Sequence, residues 1–169
     1  MKVLIAEDDF ITSRALEKSL KDWGFDVSLA KNGNDAWALI QKEDIRLAII
    51  DWMMPGIDGL ELCHKIREKS QEKEARYVYI ILLTGRDNQT DIIQGLTSGA
   101  DDYMTKPFDF LELKVRLQKG VRIIQREESR ILEASVDSLT KLWNRKKIFK
   151  FFQEEFERGH REKNPTGVI

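Results

Sequence analysis

Runs of consecutive apolar residues alternate along the chain with stretches whose apolar positions recur every three or four residues. Val3 to Ala6, Leu47 to Ile50 and Val78 to Leu83 are the runs. Such runs fit strands buried on both faces. Val27 to Ala30 and Asp102 to Thr105 read as shorter strands. Phe10 to Trp23 carries Ile11, Ala15, Leu16, Leu20 and Trp23 near a helical period, and Gly24 closes it. Asn34 to Gln41 offers Ala36, Trp37, Leu39 and Ile40 for burial. Asp58 is placed to cap a helix reaching Lys69, and Thr90 to Ser98 forms a short helix stopped by Gly99. About five strands alternating with about five helices predict an α/β domain, with a parallel sheet covered on both faces.

The pattern changes after Pro107. From Asp109 one long helical stretch carries Leu113, Leu117, Val121, Ile124 and Ile131 at spacings of three and four, with Glu128 on the same stripe and Gly120 inside it. A helix this long outgrows one small domain. It predicts a connector with coiled-coil spacing that can dimerise. The expected organisation is a domain over 1–118, a helical connector over 119–136 and a further segment over 137–169.

Charge and composition narrow the chemistry. The 28 basic and 29 acidic groups leave a formal charge of −1, so nothing global points to nucleic acid or to a membrane surface. The single cysteine, Cys63, excludes an internal disulfide and a Cys-rich zinc site and reads as a small core residue. No apolar run approaches the ~20 residues of a membrane span. Glu7-Asp8-Asp9 interrupts the N-terminal run too early for a signal peptide. The chain is expected to be soluble and cytoplasmic.

Asp51 stands at the last position of a buried strand, just before Trp52-Met53-Met54-Pro55-Gly56. That is the carboxyl edge of the sheet, where open α/β folds place their chemistry. Glu7 and Asp8 follow the first strand in the same way, and Asp9 suits a cap or first-turn acid. With the first and third strands adjacent, Glu7, Asp8 and Asp51 converge. Three carboxylates so close must either raise their pKa values or bind a cation. Oxygen ligands without His or Cys favour Mg²⁺. Thr84 ends the fourth strand with a hydroxyl beside Gly85, and Lys106 ends the fifth with a positive charge. Carboxylates, a divalent cation, a hydroxyl and a lysine make a phosphoryl site, with Asp51 as the nucleophile of an acyl phosphate.

From about Lys2 to Leu117 the chain resembles the receiver domains of two-component response regulators. The matching segments are Val3-Leu4-Ile5-Ala6-Glu7-Asp8-Asp9, Asp51 through Gly59, Leu82-Leu83-Thr84-Gly85 and Gly99 through Phe108. The resemblance implies a flavodoxin-like doubly wound (βα)5 fold with strand order 2-1-3-4-5. It implies that a sensor histidine kinase phosphorylates Asp51. Glu7, Asp8, Asp51 and the backbone carbonyl of Met53 would hold Mg²⁺, and Thr84 and Lys106 would contact the phosphoryl oxygens. Tyr103 would be the switch aromatic that responds to Thr84, and the Lys106-Pro107 peptide bond would be cis. Met53 and Arg86 occupy positions that tune phosphoryl lifetime. The face from Asp87 through the last helix would form a homodimer.

Residues 137–145, Asp-Ser-Leu-Thr-Lys-Leu-Trp-Asn-Arg, resemble the opening signature of GGDEF-type diguanylate cyclase domains, and Arg145 to Arg158 fits that domain's first helix. The roughly 30 residues from Asp137 are too few for a cyclase core. The chain is therefore expected to be a non-enzymatic piece of a longer protein whose receiver controls a cyclase. The alternative is a stand-alone phosphorelay receiver acting through protein contacts. A haloacid-dehalogenase-type phosphatase would want Asp at position 53. A flavodoxin-like FMN binder would not place Glu7-Asp8-Asp9 against a phosphate.

Overall fold

In the computed structural model the apolar runs become one parallel five-stranded sheet, ordered β2-β1-β3-β4-β5. The strands are β1 (Lys2–Ala6), β2 (Asp26–Ala30), β3 (Leu47–Asp51), β4 (Tyr79–Thr84) and β5 (Asp102–Thr105). The helices are α1 (Phe10–Asp22), α2 (Gly33–Lys42), α3 (Gly59–Ser70), α4 (Phe110–Glu133) and α5 (Arg145–Glu162). The described residues are 1–70, 76–85, 95, 97–133, 140 and 142–162. Most of the helix expected over Thr90–Ser98, together with Arg86 and Asp87, lies outside them, although Gly95 and Thr97 are helical.

Strand alternation sends neighbouring residues to opposite layers. Leu4, Ala6, Ala48, Ile50, Ile80 and Leu82 face a layer with Ala36 and Ile40 of α2 and Leu62, Cys63 and Ile66 of α3. Val3, Ile5, Leu47, Ile49, Tyr79 and Ile81 face Leu16 and Leu20 of α1 and Leu113, Leu117 and Ile124 of α4. Caps fix the helix starts: Thr12 N–H donates to Asp9 at 2.7 Å, Asp35 N–H to Asn32 at 2.8 Å and Glu61 N–H to Asp58 at 2.8 Å.

Two of the periodic stretches acquire detail in three dimensions. Ile11 is 78% exposed. It lies five residues before Leu16, about 140° around the helix from the buried face, so its apolar character marks surface, not core. The first part of the long stripe packs on the sheet. Leu113, Leu117 and Ile124 are fully buried against the sheet, each contributing roughly 1.5–3 kcal/mol by leaving water. At Gly120 a Cβ would stand 2.5 Å from Tyr79 Cδ1 and 2.9 Å from Leu47 Cδ2, so glycine lets α4 lie close on the sheet. The first compact unit runs Met1–Ile124. The Ile131 side chain lies outside the described residues.

The second unit, Gln125–Ile169, is described by itself. Within it Trp143 packs on Phe151 with ring centroids 5.4 Å apart, while Leu142, Phe149 and Phe156 are exposed. Of the segment 137–145, residues 137–139 and 141 lie outside the described residues.

Candidate functional site

A parallel sheet puts all its strand C-termini at one edge, and register fixes which residues meet there. Ala6 pairs with both Ala30 and Ile50, Asp51 with Leu83, and Thr84 with Thr105. Glu7 therefore follows β1 directly beside the end of β3, while Lys106 emerges past β5. Glu7 N–H donates to Ala30 O at 3.1 Å, and Lys106 N–H donates to Thr84 O at 2.7 Å, so backbone bonding continues to the site itself. Trp52 N–H donates to Leu83 O at 2.8 Å and holds the first residue of the loop after Asp51.

The expected side chains converge. Glu7, Asp8 and Asp51 each offer a carboxylate oxygen, all within 4.8 Å of one another. Glu7 and Asp51 are buried, and Asp8 is exposed. Lys106 Nζ lies 2.7 Å from Glu7 Oε2 and 2.9 Å from Asp51 Oδ2. Thr84 is buried at the end of β4. Asp9, by contrast, is committed to its helix cap.

Burial pushes the Glu7 carboxyl above the usual glutamate range, and the charge of Asp51 adds to this against the pull of Lys106. For Lys106 burial acts to lower the pKa, but its bonds to Glu7 and Asp51 outweigh that and hold it above the ordinary lysine value. Among the described residues, three carboxylates against one ammonium leave two negative charges uncompensated, with Glu7 and Asp51 buried. The donor set is all oxygen, with one exposed member through which waters can complete a shell. That fits Mg²⁺, which keeps several waters and takes few carboxylates. The acidic triad is thus consistent with a receiver Mg²⁺ site.

Met53, in the loop after Asp51, is 59% exposed. Tyr103 is half-buried on β5 and packs against the α2–α3 layer rather than among the charged groups. The Lys106-Pro107 peptide bond is cis. Sequence reasoning missed three glycines around the loop that follows Asp51. A Cβ on Gly33 would overlap the Ile57 carbonyl oxygen, one on Gly59 would stand 2.8 Å from Trp52 Cα, and one on Gly56 would stand 2.6 Å from Asn34 Nδ2. Only spatial neighbours reveal these approaches. The one local signal was glycine at both helix starts.

Among the described residues no helix is long and apolar enough to cross a membrane. Residues 3–118 match the response regulator receiver domain family. No GGDEF or other catalytic domain is detected in the chain. The chain is 33% identical to the receiver domain of the Francisella response regulator 1452, with a TM-score of 0.66, covering 75% of this chain and 98% of that one. A co-crystal structure of the Saccharomyces cerevisiae histidine phosphotransfer protein Ypd1 with the receiver domain of Ssk1 contains a chain 30% identical. Its TM-score is 0.63, with coverage of 68% of this chain and 83% of that chain. A two-component response regulator/GGDEF domain protein is 27% identical with a TM-score of 0.66, covering 74% of this chain and 50% of that chain. With the family's fold and its acidic pocket both in place, the chain belongs to the response regulator receiver domain family and is a phospho-accepting signalling module.

Proposed function

We propose that Asp51 is the phosphoacceptor and that its donor is a phosphohistidine of a sensor kinase or phosphotransfer protein. The observation that carries this reading is the placement of Lys106 Nζ against both Glu7 and Asp51 inside the acidic triad. In the transfer an Asp51 carboxylate oxygen forms the new P–O bond as the P–N bond breaks, and the imidazole nitrogen keeps the electron pair. Mg²⁺, held by Glu7, Asp8, Asp51 and the Met53 carbonyl, would supply charge neutralisation. Lys106 meets a phosphoryl oxygen with its ammonium, and Thr84 donates its hydroxyl to another. Tyr103 follows Thr84 inward and changes the shape of the outer face.

The partner side rests on analogy with the Ypd1 complex. Homodimerisation would use the 87–118 face. Leu113, Leu117 and Ile124 are buried, whereas Leu111 and Val115 of α4 are exposed and available to serve it. In the longer protein, residues 119–136 would connect the receiver to a diguanylate cyclase beginning near Asp137. The motif at 137–145 and the likeness to a response regulator/GGDEF protein support this. The receiver assignment is tested by incubation with acetyl phosphate and Mg²⁺. The wild type should gain an acid-stable, hydroxylamine-labile phosphoryl group, and Asp51→Asn should gain none; undiminished labelling of the variant places the nucleophile elsewhere.

A further inference from the structure

We propose that Gly33, at the first turn of α2 and outside the acidic pocket, is a positioning residue for the metal site, because it clamps the loop carrying the Met53 carbonyl. The inference rests on the Mg²⁺ reading above. The loop between β3 and α3 runs Trp52 to Asp58. Its two ends are tied, by Trp52 N–H to Leu83 O at 2.8 Å and by Gly59 N–H to Trp52 O at 2.9 Å. Its middle meets the start of α2. There Gly33 N–H donates to Pro55 O at 3.4 Å.

A Cβ on Gly33 would stand 2.7 Å from Ile57 C and 2.8 Å from Ile57 Cβ, besides overlapping the Ile57 carbonyl oxygen. These are mainly backbone atoms, so no flexible side-chain tip can absorb the collision. The first turn of α2 cannot yield easily either, because the Asn32 cap holds it through Asp35 N–H at 2.8 Å. Gly56 makes the reciprocal approach. Its φ is +79°, and a Cβ there would stand 2.6 Å from Asn34 Nδ2. The α2 start and the loop therefore fit closely, backbone against backbone at Gly33 and Ile57 and through the Asn34 side chain at Gly56, and a methyl group at Gly33 must push the loop away from α2. Met53 lies inside the displaced span, one residue past Trp52. A ligand carbonyl shifted by a fraction of an ångström binds a small, geometrically demanding ion poorly.

The test titrates Mg²⁺ into the full chain by calorimetry, with thermal melting of each variant alongside. Gly33→Ala should weaken Mg²⁺ binding roughly 10- to 100-fold, the range for residues that orient metal ligands. Gly120→Ala is the matched control. Its Cβ would collide with Tyr79 in the opposite layer, so it should melt earlier yet bind Mg²⁺ as the wild type does. Wild-type affinity in a less stable Gly33→Ala overturns the proposal. If Gly33→Ala does not fold, Ile57→Ala decides: it strips the side chain that seats the loop on the α2–α3 layer. Weaker Mg²⁺ binding supports the clamp, and unchanged binding overturns it. A wild type that binds no Mg²⁺ instead overturns the metal-site reading itself.

Discussion

Asp51 and Asp102 lie at opposite edges of the same sheet, one ending β3 and the other starting β5. Their side chains are almost equally buried, 9% and 10% exposed. Both contact cations. Asp102 is bound by Arg116, lies 3.3 Å from Lys119 Nζ and accepts from Tyr79 Oη at 3.4 Å. Asp51 shares its one lysine with Glu7 and has Asp8 close by. Burial alone therefore does not distinguish the two aspartates; charge balance does. The Asp102 cluster is satisfied by its own cations and needs no ligand. Among the described residues the Asp51 cluster is left two charges short of neutrality, which is consistent with a receiver Mg²⁺ site.

The largest effect that should separate the two is chemical. Asp51→Asn should abolish labelling by acetyl phosphate, while Asp102→Asn should label at close to the wild-type rate, as measured by mass spectrometry of the intact chain. Loss of labelling in both variants would mean that the contrast is one of folding rather than of function. Next comes Lys106→Met. Removing the ammonium withdraws a donor from the developing phosphoryl charge, and labelling should slow roughly 10²-fold. Among the described residues the pocket then holds three carboxylates and no cationic side chain, so Mg²⁺ should bind more tightly than in the wild type. Slower transfer with tighter metal binding is a split that a merely destabilised pocket would not produce, and weaker Mg²⁺ binding would contradict the charge count.

A smaller effect is expected in the closed cluster. Asp102→Asn leaves Arg116 without its buried partner, and unfolding in urea should show a loss of about 1–3 kcal/mol. The Lys119–Asp102 pair is weaker evidence of stability, since the lysine side chain is half exposed. Lys119→Ala should therefore change stability by less than Asp102→Asn does.

The two clusters also differ in how far the sequence exposed them. Glu7, Asp51, Thr84 and Lys106 were legible because each ends a strand or stands one residue past one, and a parallel sheet gathers such positions without further information. Most element limits were legible for a related reason, because the period of burial changes where the element changes; the strand order came only with the resemblance to receiver domains. Arg116 and Lys119 gave no such signal, because a charged residue on an amphipathic helix reads as solvated until the facing strand is known. The partner of the α4 stripe was hidden on the same ground. Leu113, Leu117 and Ile124 show the same spacing whether a helix meets a second helix or a sheet, and Gly120 facing Tyr79 shows which partner it found. Gly33 was silent because a close approach leaves its mark only on the absence of a side chain.

The smallest predicted effect uses pH. Burial, and then the charges of Asp102 and Asp101, push the Tyr79 phenol above the usual tyrosine value of 10.0. A group whose pKa is raised on folding gives its full stabilisation below the unfolded value and loses it as pH rises through the folded one. Stability should therefore be flat up to about the unfolded tyrosine value and then fall in alkali. Lys106, held above the ordinary 10.5 by its two carboxylates, has the same sign and a nearby window. The two contributions can be separated by substitution. Tyr79→Phe should make the alkaline limb of a urea-midpoint profile shallower and remove one tyrosine's share of the phenolate absorbance that appears with unfolding, leaving that of Tyr77 and Tyr103. Lys106→Met should flatten the limb without touching that absorbance. Equal slopes in the wild type and Tyr79→Phe would show that the Asp102 cluster does not govern the proton on Tyr79.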